Sequence, residues 1–338
     1  MADCIRSRAP LRISFCGGGT DVPPFPALEG GCVLSATINR FAYATLVPRE
    51  DRTIRARSLD LGLVMERDID ALAPDGTIDL LQATLRVMGV DTGAELWMHC
   101  DAPPGSGLGS SSTMVAALVG LVDEWRGLSL TPHEMAELAR RIERQELGIP
   151  GGLQDQYAAC FGGFNFIEFH KDHVVVNPLR LRPAILNELS YTLLLFYTGR
   201  TRNSGNIIEE QTSRLESNNP ETVGALRVLK QLTIDLKRAL LSGDLQGFGE
   251  LLHEAWVAKR SLASGISNAQ IDELYDLARA SGAWGGKILG AGGGGHLLVS
   301  SPYMARQSII AALERAGAKH VPFSFEWAGM VTWRPVTR

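Results

Sequence analysis

Residues 102–114 read APPGSGLGSSSTM, and the fold turns on how this run is understood. Just before it, ELWMHCD (95–101) alternates Leu96, Met98 and Cys100 with Glu95, His99 and Asp101, the pattern of a half-buried strand. Just after it, STMVAALVGLVDEWRG (112–127) has the apolar content of a buried helix, with Gly127 as its stop. A strand therefore enters a glycine- and serine-rich turn, and a helix leaves it near Ser110–Ser112. Free N–H groups and the positive dipole end at a helix N-terminus favour an anion. Glycines let the backbone approach it closely. Serine hydroxyls can cap the helix, donate to phosphate or reach a metal ion. The plainer account is a capped helix after a flexible turn, but a cap does not need Gly105, Gly107 and Gly109 together with Ser110, Ser111 and Ser112.

Three familiar phosphate or nucleophile loops fail the test. A Walker A loop needs GxxxxGK[ST], and no lysine occurs between 102 and 126. The GxGxxG dinucleotide fingerprint is one residue short in Gly105-Ser106-Gly107-Leu108-Gly109. The GxSxG nucleophile elbow is absent.

The rest of the chain sets the context. Its 338 residues predict two domains. With 45% hydrophobic and 21% charged residues, the composition is that of a globular protein. The net charge is −4 and no Lys/Arg run stands out, so neither nucleic acid nor a membrane is an expected partner. No apolar run has the length of a membrane span, and MADCIRSRAPLRIS lacks the apolar core of a secretory signal. The five cysteines form no CxxC and read as reduced thiols, so a cytoplasmic location is expected. The seven histidines show no metal-ligand spacing, and HKDH (170–173) reads as a solvated turn.

The first third reads mostly as strands: LRISFC, VLSATINRFAYATLV and TIRARSL. Thr131, Pro132 and Glu134 predict a capping box opening a helix over 131–148. GGFNFIEFH and HVVVNPLRL predict a hairpin, and YTLLLFYTG (191–199) a buried strand. Residues 204–282 are nearly all helical in pattern. KILGAGGGGHLLVS (287–300) reads as a strand interrupted by glycine, and HVPFSFEWAGMVTWR as a last strand region after a helix over 302–316. The order is α+β, and the shift from strand to helix near 180–190 marks the expected domain boundary.

PPGSGLGSSS (103–112) resembles the phosphate loop of the GHMP kinases, P-x-G-x-G-L-[GS]-S-S, from Pro104 through Ser106, Leu108 and Ser112. Three further stretches resemble that family in the right order. RAPLRISFCGGGTDVPPF (8–25) places Arg12 and Asp21 where the family's first motif has a basic residue and a substrate-contacting acid. GIPGGLQDQ (148–156) matches G-x-P-x-G-x-x-D and ends in Asp155. KILGAGGGGHLLV (287–299) resembles the glycine-rich third motif. The resemblance covers nearly the whole chain.

It implies a two-domain α+β kinase fold. Residues 1–185 would form an N-terminal domain like domain 2 of ribosomal protein S5, and residues 186–338 a ferredoxin-like C-terminal domain. It implies ATP and Mg2+, with residues 104–112 around the nucleotide phosphates and Ser111 and Glu143 at the metal. The plainer account of Glu143 is a solvated carboxylate in the charged RRIERQE. Asp155 is implied as the base or orienting group for a sugar hydroxyl, and Arg12 as the cation at the transferring phosphoryl group. The alternatives are a dipole-complementing Asp in a first helical turn and a surface Arg on an edge strand.

For the sugar, the implied contacts are Gly18, Gly19, Thr20, Asp21, Gly151, Gly152, Gly292 and Gly293. Lys287 is a further candidate anion contact. LRISFCGGGTDVPPF and GGCVLSATINRF (30–41) resemble the branch that phosphorylates C1 of sugars bound for nucleotide activation, which implies D-glycero-D-manno-heptose 7-phosphate as acceptor. Gly17-Gly18-Gly19 departs from the Gly-Glu-His of galactokinases and argues against galactose. Arg200 and Arg202 in YTGRTRNSGN (197–206) are candidates for the substrate phosphate, with an ATP or lid role as the alternative. A kinase of an unphosphorylated sugar, a small-acid kinase and a non-catalytic sugar and ATP sensor remain open readings.

Overall fold

The structure, a computed structural model, describes residues 4–201 and 205–336. Arg202 and Ser204 therefore lie outside the described residues. In chain order the elements begin with β1 (Ile5–Cys16), α1 (Phe25–Glu29), β2 (Gly31–Pro48), β3 (Thr53–Ser58), β4 (Leu63–Asp68), α2 (Asp79–Val87) and β5 (Ala94–Cys100). Then come α3 (Ser110–Arg126), α4 (Pro132–Arg140), α5 (Gln154–Phe161), β6 (Phe164–Phe169) and β7 (Val174–Pro178). The second part holds α6 (Pro183–Thr192), β8 (Leu193–Tyr197), α7 (Gly205–Glu216), α8 (Pro220–Ser242), α9 (Leu245–Arg260) and α10 (Ala269–Ala280). It closes with β9 (Gly285–Ile288), β10 (His296–Ser300), α11 (Arg306–Arg315), β11 (Lys319–His320) and β12 (Val331–Trp333).

Two sheets organise these elements. The larger runs β12-β1-β2-β5-β3-β4, with β6 and β7 branching from β2; the smaller runs β11-β8-β10-β9. The branch exists because β2 is long enough to have two partners. Its first residues pair with β6 (Gly31↔Phe169 to Ala36↔Phe164), and its last with β5 (Ala42↔Cys100 to Pro48↔Ala94).

β1 is buried on both faces from Ala9 to Cys16, because α3 and α5 pack on it from the first part of the chain and α8 and α9 from the second. Phe15 meets Phe248 edge to face at 5.4 Å, and Trp256 of α9 is wholly buried in the same core. Burying a large apolar side chain stabilises by roughly 1.5–3 kcal/mol, so this joint holds the two sheets firmly around the N-terminus of α3. That helix is buried on nearly all sides, as its uninterrupted apolar sequence requires.

The structure departs from the sequence reading in four places. The glycine-rich run near 290 does not interrupt one strand; β9 and β10 are antiparallel strands of a hairpin (Leu297↔Ile288). Positive φ at Gly290, Gly292, Gly293 and Gly295 turns the chain out between them. The helix expected over 131–148 opens with the capping box at Thr131 and Glu134, but passes at Arg141–Glu146 into a π-helical turn. The first residues of YTLLLFYTG close α6 rather than opening β8. Most of HVPFSFEWAGMVTWR is irregular, and its one three-residue strand, β12, pairs with β1 in the larger sheet (Arg6↔Trp333). The two sheets part between β7 and β8, except for β12, which crosses back, and position 185/186 itself lies within α6.

Motif contacts hold the loops in place. A Cβ on Gly107 (φ +83) would lie 2.5 Å from the Leu289 carbonyl oxygen, and one on Gly290 (φ +71) 2.7 Å from the Gly107 Cα. The two glycine-rich loops meet backbone to backbone, where no side chain fits. Gly290→Ala should therefore cost about 1–3 kcal/mol from the left-handed conformation alone, with more from the clash. Urea unfolding should show a clearly lowered midpoint; an unchanged midpoint would mean the loops do not need each other.

Candidate active site

A cavity opens between three backbone turns: the phosphate-type loop before α3, the β9–β10 loop and the Gly18–Asp21 turn after β1. Arg12 rises into it from β1. Although β1 has neighbours on both sides, a bulge between Pro10 and Arg12 breaks the register with β2 there. The Arg12 backbone N–H donates to the Leu108 carbonyl at 3.1 Å, and its guanidinium donates to the Gly107 carbonyl. Arg12 is 3% exposed, so it is a buried cation rather than a surface arginine.

Its partner is Asp155, in the first turn of α5. Arg12 Nε donates to Asp155 Oδ1 at 2.8 Å, and a second guanidinium nitrogen lies 2.7 Å from the same oxygen. Asp155 Oδ2 has no protein partner among the described residues and lies 3.2 Å from where a Gly109 Cβ would stand. One carboxylate oxygen is thus clamped, and the other faces the N-terminus of α3. That helix begins at Gly109 (φ +81) with no side-chain cap. Its first-turn N–H groups and positive dipole end are left to the cavity, which Gly105, Gly107, Gly109 and Ser110–Ser112 line.

The π-helical turn rotates Glu143 inward, and it is 2% exposed. Glu143 Oε1 accepts from Ser111 Oγ at 2.7 Å, and Oε2 accepts from Gln156 Nε2 at 2.7 Å and from Ser112 Oγ at 2.5 Å. Arg144 lies 3.3 Å from Glu143 Oε1 and donates to the carbonyls of Gly152 and Ile149. A Cβ on Gly151 would collide with that guanidinium at 2.5 Å, and one on Gly152 with Asp21 Oδ2 at 2.1 Å. Both glycines therefore make room for charged side chains while lining the cavity.

Glu143 and Ser111 offer hard oxygens side by side, a set that suits magnesium when nucleotide phosphates complete the coordination. Among the described residues no three His, Cys, Asp or Glu stand close enough to hold a metal unaided.

Asp21 is fully buried, and its carboxylate organises the turn. Oδ1 accepts from Gly19 N at 2.9 Å, while Oδ2 accepts from Leu153 N, Gln154 N and Gln154 Nε2 at 3.0, 3.1 and 3.0 Å. Gly18, Gly19 and Asp21 line the cavity. Thr20 is turned away, bonding the Gly17 and Cys32 carbonyls. Leu108 and Ser106 are buried behind the phosphate-type loop, with Ser106 Oγ 3.1 Å from Ser110 Oγ and its carbonyl 2.7 Å from His296 Nδ1. Pro104 is exposed on its outer side. Gly292 lines the cavity, whereas Gly293 pairs with Ile266 just behind it. Arg200 is exposed and outside the cavity lining; its carbonyl accepts from Gly295 N at 2.8 Å.

Two buried lysines stand here, Lys259 in the cavity lining and Lys287 outside it. Lys287 Nζ donates to the Ser14 carbonyl at 3.0 Å, and Lys259 Nζ donates to the Gly290 carbonyl. Burial, reinforced by the charge of Lys287, pushes Lys259 down to about 7, and burial brings Lys287 down to about 8. Lys259, Gln154, Gln156, Gln211 and Arg144 were not singled out in the sequence. Lys259 carried a signal: it continues the apolar stripe of α9 through Leu245, Phe248, Leu252, Ala255 and Trp256, where an exposed lysine has no place.

The lysine shifts have a consequence for stability. An unfolded lysine holds its proton to about pH 10.4, whereas folded Lys259 gives it up near 7. Between those values the unfolded chain binds more protons, so stability from this group rises with pH. Urea titrations of the unliganded protein should show the wild type gaining on Lys259→Met between pH 7 and 9.5. A constant difference would mean that Lys259 is charged in the folded state.

Comparison with known proteins places these features. Residues 75–163 match the family described as GHMP kinases N terminal domain, and residues 236–319 match GHMP kinases C terminal. The chain is 36% identical to a D-glycero-alpha-D-manno-heptose 7-phosphate kinase of Campylobacter jejuni, over 98% of this chain and 99% of that one. It is 34% identical to a D-glycero-D-manno-heptose 1-phosphate kinase of Bacteroides thetaiotaomicron, whose crystal structure superposes with a TM-score of 0.83 over 98% and 100% of the two chains. A Lactococcus lactis galactokinase crystallised with galactose shares the fold at a TM-score of 0.78 and 21% identity, over 97% and 95% of the chains.

Proposed function

Because the chain belongs to the GHMP kinase family and is an ATP-dependent phosphotransferase acting on a sugar hydroxyl, we propose that it transfers the γ-phosphoryl group of ATP to the C1 hydroxyl of D-glycero-D-manno-heptose 7-phosphate. The observation that carries the chemistry is the Arg12–Asp155 pair facing the uncapped N-terminus of α3. Two observations support the acceptor. The heptose kinase from C. jejuni matches this chain nearly end to end. The two heptose kinases' names differ in the carbon bearing the phosphate and agree on a phosphorylated heptose.

In this reading the nucleotide phosphates lie against the N–H groups of residues 105–112, with Ser111 and Glu143 holding Mg2+. The ion supplies charge neutralisation at the phosphate oxygens. Asp155, fixed through Oδ1 by Arg12, uses Oδ2 to orient the sugar hydroxyl and take its proton as the new P–O bond forms and the bond to ADP breaks. Arg12 compensates negative charge on the transferring group. The Gly18–Asp21 turn and Gly151–Gly152 form the sugar's side of the cavity. Ile207 and Ile208 of α7 add apolar surface to the cavity lining.

The test is ADP release with Mg-ATP over heptose 7-phosphate, mannose 6-phosphate, unphosphorylated heptose, L-fucose and galactose. Heptose 7-phosphate should be the preferred acceptor, and Asp155→Asn should lower kcat by about 10²–10⁴-fold. Preference for a neutral sugar would overturn the acceptor and leave the phosphoryl-transfer site standing.

A further inference from the structure

Every pocket-lining cation among the described residues but one has an ion-pair partner. Arg12 is paired with Asp155, and Arg144 with Glu143. Lys259 lines the cavity, is 5% exposed, and its ammonium meets only the Gly290 carbonyl. A buried charge without a counter-charge is costly. A lysine has three N–H donors, and one of them is used here.

The groups beside it share that incompleteness. Ser14 Oγ is buried with no partner, and Gln154 Nε2 has one partner, Asp21. Gly18, Gln154 and Lys259 all line the cavity. A Cβ placed on Gly18 would lie 3.3 Å from Gln154 Nε2, 3.7 Å from Lys259 Nζ and 3.7 Å from Ser14 Oγ. The Gly18 backbone thus packs directly against an ammonium, an amide and a hydroxyl, and of these the Lys259 and Gln154 side chains line the cavity. Behind it, Lys287 on the Ser14 carbonyl adds a second positive charge. The one facing anion, Asp21, is already compensated by four N–H donors.

We propose that the cavity wall at Lys259 is an anion subsite in which Lys259, beside Gln154, receives the phosphate that the acceptor sugar already carries. The proposal rests on the phosphorylated-heptose reading above and gives it a residue basis. A phosphate monoester dianion supplies a counter-charge and acceptors to the unused donors of Lys259, with the charge of Lys287 behind it. The subsite makes Lys259 the specificity determinant between phosphorylated and neutral sugars, a role that the exposed Arg200 is poorly placed to fill.

The experiment measures kcat and KM for heptose 7-phosphate and for unphosphorylated heptose with wild type, Lys259→Gln, Lys259→Arg and Gly18→Ala. Gly18 does not have a left-handed φ, so alanine there crowds Gln154 Nε2 and the Lys259 ammonium without backbone strain. ATP binding and thermal unfolding of each variant establish that it is folded. In Lys259→Gln the preference for the phosphorylated sugar, as a ratio of kcat/KM values, should fall about thirtyfold or more, as when one partner of a buried charge pair is removed. The loss should appear chiefly in KM for the sugar phosphate. Lys259→Arg should recover part of it, and Gly18→Ala should lower the same ratio. Inorganic phosphate should compete with heptose 7-phosphate in the wild type and less so in Lys259→Gln. Equal losses on both sugars, or an unchanged ratio, would overturn the subsite while leaving the acceptor intact. A wild type that prefers the neutral sugar would overturn the acceptor reading and the subsite with it.

Discussion

The ion pair between buried Arg12 and partly exposed Asp155 is the constraint around which the site is arranged. Its two members come from distant parts of the chain, one from the first strand and one from the helix after the Gly148–Gly152 turn. Removing Asp155 would leave the buried Arg12 charge without its counter-charge. Arg12 also holds the phosphate-type loop through the carbonyls of Gly107 and Leu108. One side chain therefore sets the distance between the loop and the carboxylate, and leaves Asp155 Oδ2 facing the place where anionic oxygens are favoured.

The other supports follow from that geometry. Gln156, next to Asp155, reaches Glu143 and Ser112, so the helix carrying the base candidate and the carboxylate suited to a metal are tied by one amide. The loop from the second part of the chain closes on the first largely through backbone, at Gly107 against Gly290 and at Ser106 against Gly295, with the His296 side chain on the Ser106 carbonyl. Side chains here would push the two parts of the chain apart. Asp21 then pins the Gly18 turn to Leu153 and Gln154, so that wall of the cavity is fixed to the same helix as Asp155.

Much of this was legible in the sequence, for local reasons. The strand, glycine–serine loop and helix around 102–127 follow from periodicity and from the special backbone freedom of three glycines, all of which have positive φ. The Thr131–Glu134 capping box is a four-residue signal and forms as written. What escaped is tertiary. A π-helical turn that buries Glu143 leaves no mark in RRIERQE, whose composition suits a solvated face. The return of β12 to β1 is a three-residue pairing, too short to carry a pattern. Arg200 looked suited to a phosphate because of its neighbours, yet the turn at Gly199 sets it at the surface. Lys259 was readable as a charge on an apolar stripe, but which cavity it serves depends on how α9 packs against the β9–β10 loop.

The most direct measurement of the central claim is a double-mutant cycle on kcat/KM with Arg12→Gln, Asp155→Asn and the double variant. If the pair acts as one unit, the double variant should lose about as much as the worse single variant. Full additivity of the two losses would contradict it, because Arg12 and Asp155 would then contribute separately to the transfer.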